Sequence, residues 1–329
     1  MKHSIITTHG LAVLAGVSLV TPASAKPDTT TTDSFGSGEN VFTMDFVTVG
    51  KPNYVNDTTG YGGVANTYRM GTYEVSTAMV SKANTAGSLG ITYTSRTADM
   101  PATSVSWNEA ARFVNWLNAS SGSVAAYKFT TSGVNDNIVL WDATSAGSGY
   151  NAANPFRNSN AKYFLPSENE WYKAAYYDPN KTGGAGYYDF ATRSDSVPTA
   201  VANGTALGTA VYDGQSGPAD ITRAGGLSPY GTMGQGGNAW EWVETNYSGT
   251  NDSSGSSRGL RGGVWLYNAD FLASSSRGGL GAPSGEYIYG GFRVASSELA
   301  AVPEVTSSFT LLGLISSGLL LRRRTKTLR

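Results

Sequence analysis

The sequence has no cysteine, and its only two histidines, His3 and His9, stand at the extreme N-terminus. Without thiols there are no disulfides, thiolate nucleophiles, iron–sulfur clusters or zinc–thiolate sites. Without imidazole beyond residue 9, the body of the chain has no Ser–His–Asp or Cys–His catalysis and no histidine-held metal or haem. Charge is also scarce: Asp, Glu, Lys and Arg make up 14% of the residues. Gly, Ser, Thr and Asn fill that place, which suits a loop-rich domain better than a helical bundle. Any chemistry has to come from carboxylates, hydroxyls, Lys or Arg, backbone groups or an oxygen-ligated cation.

The two ends read as addresses rather than fold. Lys2, the apolar run Leu11–Val20 and Ala23-Ser24-Ala25 form a signal peptide over 1–25, with cleavage expected after Ala25. At the other end Val305–Leu321 is 17 uncharged residues, followed by Arg322, Arg323, Arg324 and Lys326. That pattern predicts a short transmembrane helix stopped by a basic cluster. The tail over 302–329 opens on Val302-Pro303-Glu304 and resembles a PEP-CTERM sorting signal, with Val305 where that family carries a second proline. The resemblance implies export, inner-membrane anchoring, recognition by a PEP-CTERM-type sorting enzyme, and a final place at the cell surface or in extracellular matrix. Residues 26–304 carry 17 basic and 24 acidic residues, a net charge of −7, which argues against a nucleic-acid partner.

Residues 26–40 read as a polar linker, and the domain proper as 41–296. Ser106-Trp-Asn-Glu109 is a capping box opening a helix whose apolar stripe is Trp107, Ala110, Phe113, Val114 and Leu117. Ser167-Glu-Asn-Glu170 repeats the device ahead of Trp171, Ala174 and Ala175. A weaker helix starts near Ser76 and carries Met79, Val80 and Ala83. Strands are expected at Phe42–Val49, Thr67–Val75, Asn137–Trp141, Ala239–Val243 and Gly291–Ala295. Between Asp178 and Gly237 periodic signals are few. So long an irregular stretch needs something to hold it; buried aromatics and oxygen-ligated cations are the devices left.

Four segments occur in order: Pro101–Ala110, Tyr163–Trp171, Gly236-Gly-Asn-Ala-Trp-Glu-Trp242, and Arg261-Gly-Gly-Val-Trp265 followed by Gly290-Gly-Phe-Arg-Val294. With Tyr68–Val75 upstream, they resemble the formylglycine-generating enzyme, or sulfatase-modifying factor, family. The resemblance implies an α+β fold, a loop-rich variant of the C-type-lectin-like fold. It also implies a protein-oxidising enzyme with two copper-binding cysteines, which fall here on Tyr267 and Leu272. A phenol and an alkyl chain cannot replace soft sulfur ligands, so copper is not expected. The family's structural calcium sites map onto Gly237, Ala239 and Glu241, with Gly234 lacking the further side chain, and onto Asn203, Gly204 and Asp220, with Asp213 competing for the last place. Ca²⁺ suits such oxygen donors, and a chelator would then lower the melting temperature.

Each of these residues has a plainer reading. On a strand Glu241 faces away from Trp240 and Trp242 and could be a buried carboxylate paired with arginine. Asn203 could be a turn residue before Gly204. Arg261 and Arg293 read as structural forks. The tryptophans read as core, with a sugar-stacking platform as the alternative. Glu168 and Glu170 do not face each other on a helix, and Glu170 is better explained as a cap. Together these readings describe an exported, non-catalytic binding or structural protein whose partner is a polysaccharide or a surface protein. The alternatives are an oxidase of the family, another groove-based enzyme using Asp270 or Glu286, and a carbohydrate-binding module.

Overall fold

The computed structural model describes residues 30–144, 149–248 and 253–297. The expected signal peptide over 1–25 and the 302–329 tail with its expected membrane helix lie outside the described residues. Among the described residues, no helix is long and apolar enough to cross a membrane.

The three helices begin where the capping residues put them. Helix α1 (Thr77–Gly87) starts with the Met79 amide donating to Ser76 Oγ. Helix α2 (Trp107–Ser120) has both halves of its box: the Glu109 amide donates to Ser106 Oγ at 3.1 Å, and the Ser106 amide to Glu109 Oε2 at 2.8 Å. Helix α3 (Glu168–Tyr176) repeats this with Ser167 and Glu170 at 3.3 and 2.7 Å. Each box satisfies two amides that a helix start leaves without partners. The stripe on α2 is buried as its spacing requires.

The strands, in chain order, are β1 (Thr30–Phe35), β2 (Phe42–Val49), β3 (Tyr68–Gly71), β4 (Lys128–Phe129), β5 (Ile138–Val139), β6 (Tyr163–Phe164), β7 (Tyr177–Asp178) and β8 (Gly186–Tyr187). They continue as β9 (Thr199–Ala200), β10 (Thr209–Ala210), β11 (Trp240–Asn246), β12 (Arg258–Arg261), β13 (Gly278–Gly281), β14 (Gly290–Gly291) and β15 (Ala295–Ser296). Two sheets matter for the site. The first has the order β1-β2-β3-β15-β6 and is antiparallel throughout; Ala295 pairs with both Met70 and Phe164. The second has the order β13-β12-β11-β14 and sets Glu241 opposite Arg261 on one side and Gly291 on the other.

Residues 30–40 correct the linker expectation. Thr30–Phe35 pairs along its whole length with β2, and Gly38–Asn40 is a turn of 3-10 helix. A polar stretch becomes a strand here because its partners are tertiary. Phe35 is buried between Phe42 and Tyr163, and Asp33 accepts from Arg69 at 2.7 Å and from Tyr163 Oη at 2.6 Å. Those contacts outweigh a weak local preference.

The expected strand at 291–295 divides. Gly290–Gly291 belongs to the second sheet and Ala295–Ser296 to the first. Phe292, Arg293 and Val294 cross between them, all fully buried, and this crossing carries a guanidinium into the interior. Between Asp178 and Gly237 regular structure is confined to β8, β9, β10 and a short 3-10 turn at Ile221–Arg223. Buried rings hold much of that stretch: Tyr177 packs on Tyr54 and Tyr187, while Phe190 and Tyr212 bury with Ala210 and Leu272.

Candidate functional site

The Arg261-Gly-Gly-Val-Trp265 segment ends β12 in a tight left-handed turn, with φ of +102° at Gly262 and +81° at Gly263. A Cβ on Gly263 would stand 2.7 Å from Leu272 Cδ1 and 3.2 Å from the Phe271 backbone. Glycine is therefore demanded by both conformation and space. The chain then runs through Tyr267 into a 3-10 turn at Ala269–Leu272.

This path separates the two positions expected to matter most. Leu272 is buried among Phe190, Ala210 and Tyr212, and its carbonyl accepts from Tyr176 Oη. Tyr267 lies at the surface, packed on Phe271 and Tyr289 at ring separations of 5.0 and 5.7 Å. An alkyl group in an apolar pocket and a phenol in an aromatic surface cluster do not fit copper. Leu266, Tyr267 and Phe271 are all exposed, with Trp265 and Trp240 packed behind them.

Of the first calcium set, Glu241 is engaged by its own chain. Arg293 donates through Nη2 to Oε1 and through Nε to Oε2, both at 2.5 Å, and Trp171 Nε1 donates to Oε2 at 2.6 Å. The same guanidinium donates to the carbonyls of Gly71, Thr72 and Met233 at 2.9, 3.3 and 2.9 Å. Arg293 thus sits in a cage of five oxygens, as a hard cation would, and ties β3 to β11. In this arrangement both carboxylate oxygens of Glu241 accept from a guanidinium. Gly237 donates its amide to the Gly262 carbonyl at 2.7 Å, and a Cβ there would collide with the Val211 carbonyl. Ala239 is buried beside it and donates its amide to Glu74 at 3.2 Å.

Glu74 is the residue sequence reasoning passed over. It lies just beyond β3, almost fully buried, and also accepts from Asn238 Nδ2 at 2.6 Å. A Cβ at Gly234 would stand 2.8 Å from Glu74 Oε2. The space a side chain at 234 would have used is filled from another part of the chain. Burial pushes the Glu74 carboxyl well above the usual carboxylate range, and the neighbouring Glu241 charge pushes it the same way, against Arg293. The folded state therefore binds a proton the unfolded chain releases at about pH 4.3. The stabilisation is complete below that pH and is lost as pH rises toward the folded value. Wild type should accordingly lose stability relative to Glu74→Gln between pH 5 and pH 8 in urea titrations; a relative gain would refute the assignment.

The second set lies elsewhere. Asn203 Oδ1 accepts from Arg223 Nη2 at 3.0 Å; the Gly204 amide donates to the Arg223 carbonyl, and the Gly204 carbonyl accepts from Gly225. Asn203 and Asp220 line one surface cavity of about 510 Å³ with Arg96, Gln215 and Arg223. The structure thus brings Asn203 and Asp220 together at one surface cavity, while Glu241 is fully buried and does not line it. Asp213 takes a left-handed φ of +64° and donates its amide to Tyr267. Arg96 and Arg223 carry no motif, so nothing in the sequence singled them out.

Among the other carboxylates, Glu170 caps α3 and accepts from Arg157 at 3.2 Å. Glu168 turns inward to Arg261 and Arg277, at 2.6 and 2.7 Å. Asp270 accepts from Asn268, while Glu286 accepts from Asn135.

The architecture and this site define a class: a loop-rich mixed α/β domain with three helices, an Arg-Gly-Gly turn, and a central strand whose buried glutamate is forked by an arginine. The sulfatase-modifying factor enzyme 1-like domain matches residues 24–298, and the chain belongs to that family. Among curated proteins no sequence matches significantly. Similar solved structures include variable protein 1 of Treponema denticola, at 20% identity and a TM-score of 0.54, covering 81% of this chain and 99% of that one. CarF is similar at 20% identity and a TM-score of 0.53, over 77% and 98% of the two chains. PvdO of Pseudomonas aeruginosa follows at 16% identity and a TM-score of 0.47, over 80% and 97%.

Proposed function

We propose that the protein is an exported, non-catalytic binding or structural protein on a sulfatase-modifying factor scaffold, acting at the cell surface or in extracellular matrix. The observation that carries the reading is the pair Tyr267 and Leu272. One is a surface phenol and the other a buried alkyl chain, where the resemblance implies a pair of thiols. The export part rests on the sequence of residues 1–25 and 302–329. The full chain, supplied with copper and a Cys-x-Pro-x-Arg peptide, should leave the peptide unoxidised by mass spectrometry. Measurable formylglycine would overturn the reading and restore the oxidase.

The structural cation in this reading is Arg293. Excess EDTA should leave the melting curve of the protein unchanged, because a guanidinium cannot be chelated away. A fall in melting temperature that added calcium reverses would return Gly237, Ala239 and Glu241, or Asn203, Gly204 and Asp220, to the role of calcium ligands. A polysaccharide is the partner favoured by the exposed rings of Tyr267 and Phe271, since sugars stack on aromatic faces.

A further inference from the structure

The cavity between Arg96 and Asp220 is assembled from three backbone segments held together by hydrogen bonds. The Ile221 amide donates to the Asp99 carbonyl at 2.8 Å, and the Gly204 amide, next to Asn203, to the Arg223 carbonyl at 2.8 Å. Its shape is therefore set by the fold. At about 510 Å³ it is within the size range of small-ligand sites.

The Arg96 guanidinium lies over the Trp265 ring at 5.0 Å, and its Nε is buried without a partner. Arg69 and Arg258 also stack on rings with a buried Nε, but Arg96 differs in its lack of a charged or hydrogen-bonded partner. Among the described residues no carboxylate or carbonyl is paired with it. Buried polar groups are ordinarily satisfied, and a stacked guanidinium is fixed in direction. Arg96 thus presents a fork to whatever enters. It lines a second, adjoining cavity as well, where Lys82 adds another positive charge. These cations stand out on a chain whose body is net negative.

The remaining lining defines what the fork would hold. Asn203, Gln215, Ser216 and Asp220 offer hydrogen bonds, and Arg223 is already engaged with Asn203. Asp220 is an acceptor and carries negative charge, so a compact dianion such as sulfate or phosphate is repelled from its side of the cavity. A ligand with one carboxylate for Arg96 and hydroxyls for Asp220 and Asn203 matches both halves. We propose that this cavity binds an acidic saccharide through a uronate unit, with Arg96 gripping the carboxylate in a bidentate pair and Asp220 accepting from ring hydroxyls. The adjoining cavity past Arg96 gives room for the next unit of a chain, beside Lys82.

The inference deepens the non-catalytic reading and rests on it for one point only, that binding is the output. The two fail separately: the peptide-oxidation assay tests that reading, and calorimetry tests this site. Trigalacturonate would be titrated into the full chain in detergent, beside its methyl ester, in which the carboxylates are blocked, and beside sodium sulfate. The expected result is binding of the acid, at least tenfold weaker binding of the ester, and no comparable binding of sulfate. Arg96→Gln should cut affinity for the acid at least tenfold while lowering the melting temperature by no more than a few degrees, since it loses only the stacking contact with Trp265 and no hydrogen bond. Asp220→Asn should weaken the acid less than Arg96→Gln does and let sulfate bind more tightly. No binding of the acid, equal binding of the ester or sulfate, or full affinity in Arg96→Gln would each overturn the proposal.

Discussion

Arg293→Met is expected to be the most damaging single change away from the hydrophobic core. It strips Glu241 of both donated hydrogen bonds from the guanidinium and leaves the Gly71, Thr72 and Met233 carbonyls without that partner. Both Glu241 and Arg293 are fully buried. Breaking a buried pair on one side costs about 3–5 kcal/mol, because the remaining charge is left uncompensated. For a domain of this size that corresponds to a fall in melting temperature on the order of 10 °C. The double change Glu241→Leu with Arg293→Met should recover part of the loss, since the stranded carboxylate is gone. Urea denaturation of the two variants provides the check. A loss below about 1 kcal/mol in the single variant would show that the fork does not hold the two sheets together.

Glu168→Gln should rank close behind. Its carboxylate serves two arginines, the buried Arg261 and the more exposed Arg277. Arg261 also donates to the carbonyls of Ser274 and Ser276, so the pair fixes the loop after the Arg-Gly-Gly turn. Losing the charge leaves Arg261 buried without its carboxylate, again at about 3–5 kcal/mol. Arg277→Gln removes the outer arginine of the same trio. Its side chain is 22% exposed, and pairs open to water contribute far less, so about 1 kcal/mol is expected. The asymmetry is the diagnostic: equal losses in the two variants would mean that Arg277, rather than Arg261, anchors the loop.

The helices were legible because their signals are local. A serine three residues ahead of a glutamate fixes a helix start through contacts inside one turn, and the α2 stripe repeats at a spacing only a helix can use. The motif order also identified the scaffold. Other elements depended on distant partners. Thr30–Phe35 reads as a polar linker until Arg69, Phe42 and Tyr163 are placed beside it. Gly291–Ala295 reads as one strand, and only the two sheets reveal that it leaves one to join the other. The site was partly visible for the same reason. Glu241 announced itself between two tryptophans, and its pairing with an arginine was foreseeable as a class of contact. That the arginine is Arg293, and that Glu74 fills the space beside Gly234, required the fold.

Some properties of this protein follow from composition alone. Chemistry based on thiols is closed to any chain without cysteine, and imidazole chemistry to one whose histidines end at residue 9; no packing can supply a missing functional group. The capped helix starts are likewise properties of linear sequence. Tertiary structure alone decided which charges meet. It put a guanidinium at Glu241, split Tyr267 from Leu272 between surface and core, and left Arg96 stacked on Trp265 without a hydrogen-bond partner. Such pairings link residues tens to hundreds of positions apart, and their energies depend on burial, which exists only once the chain has closed on itself.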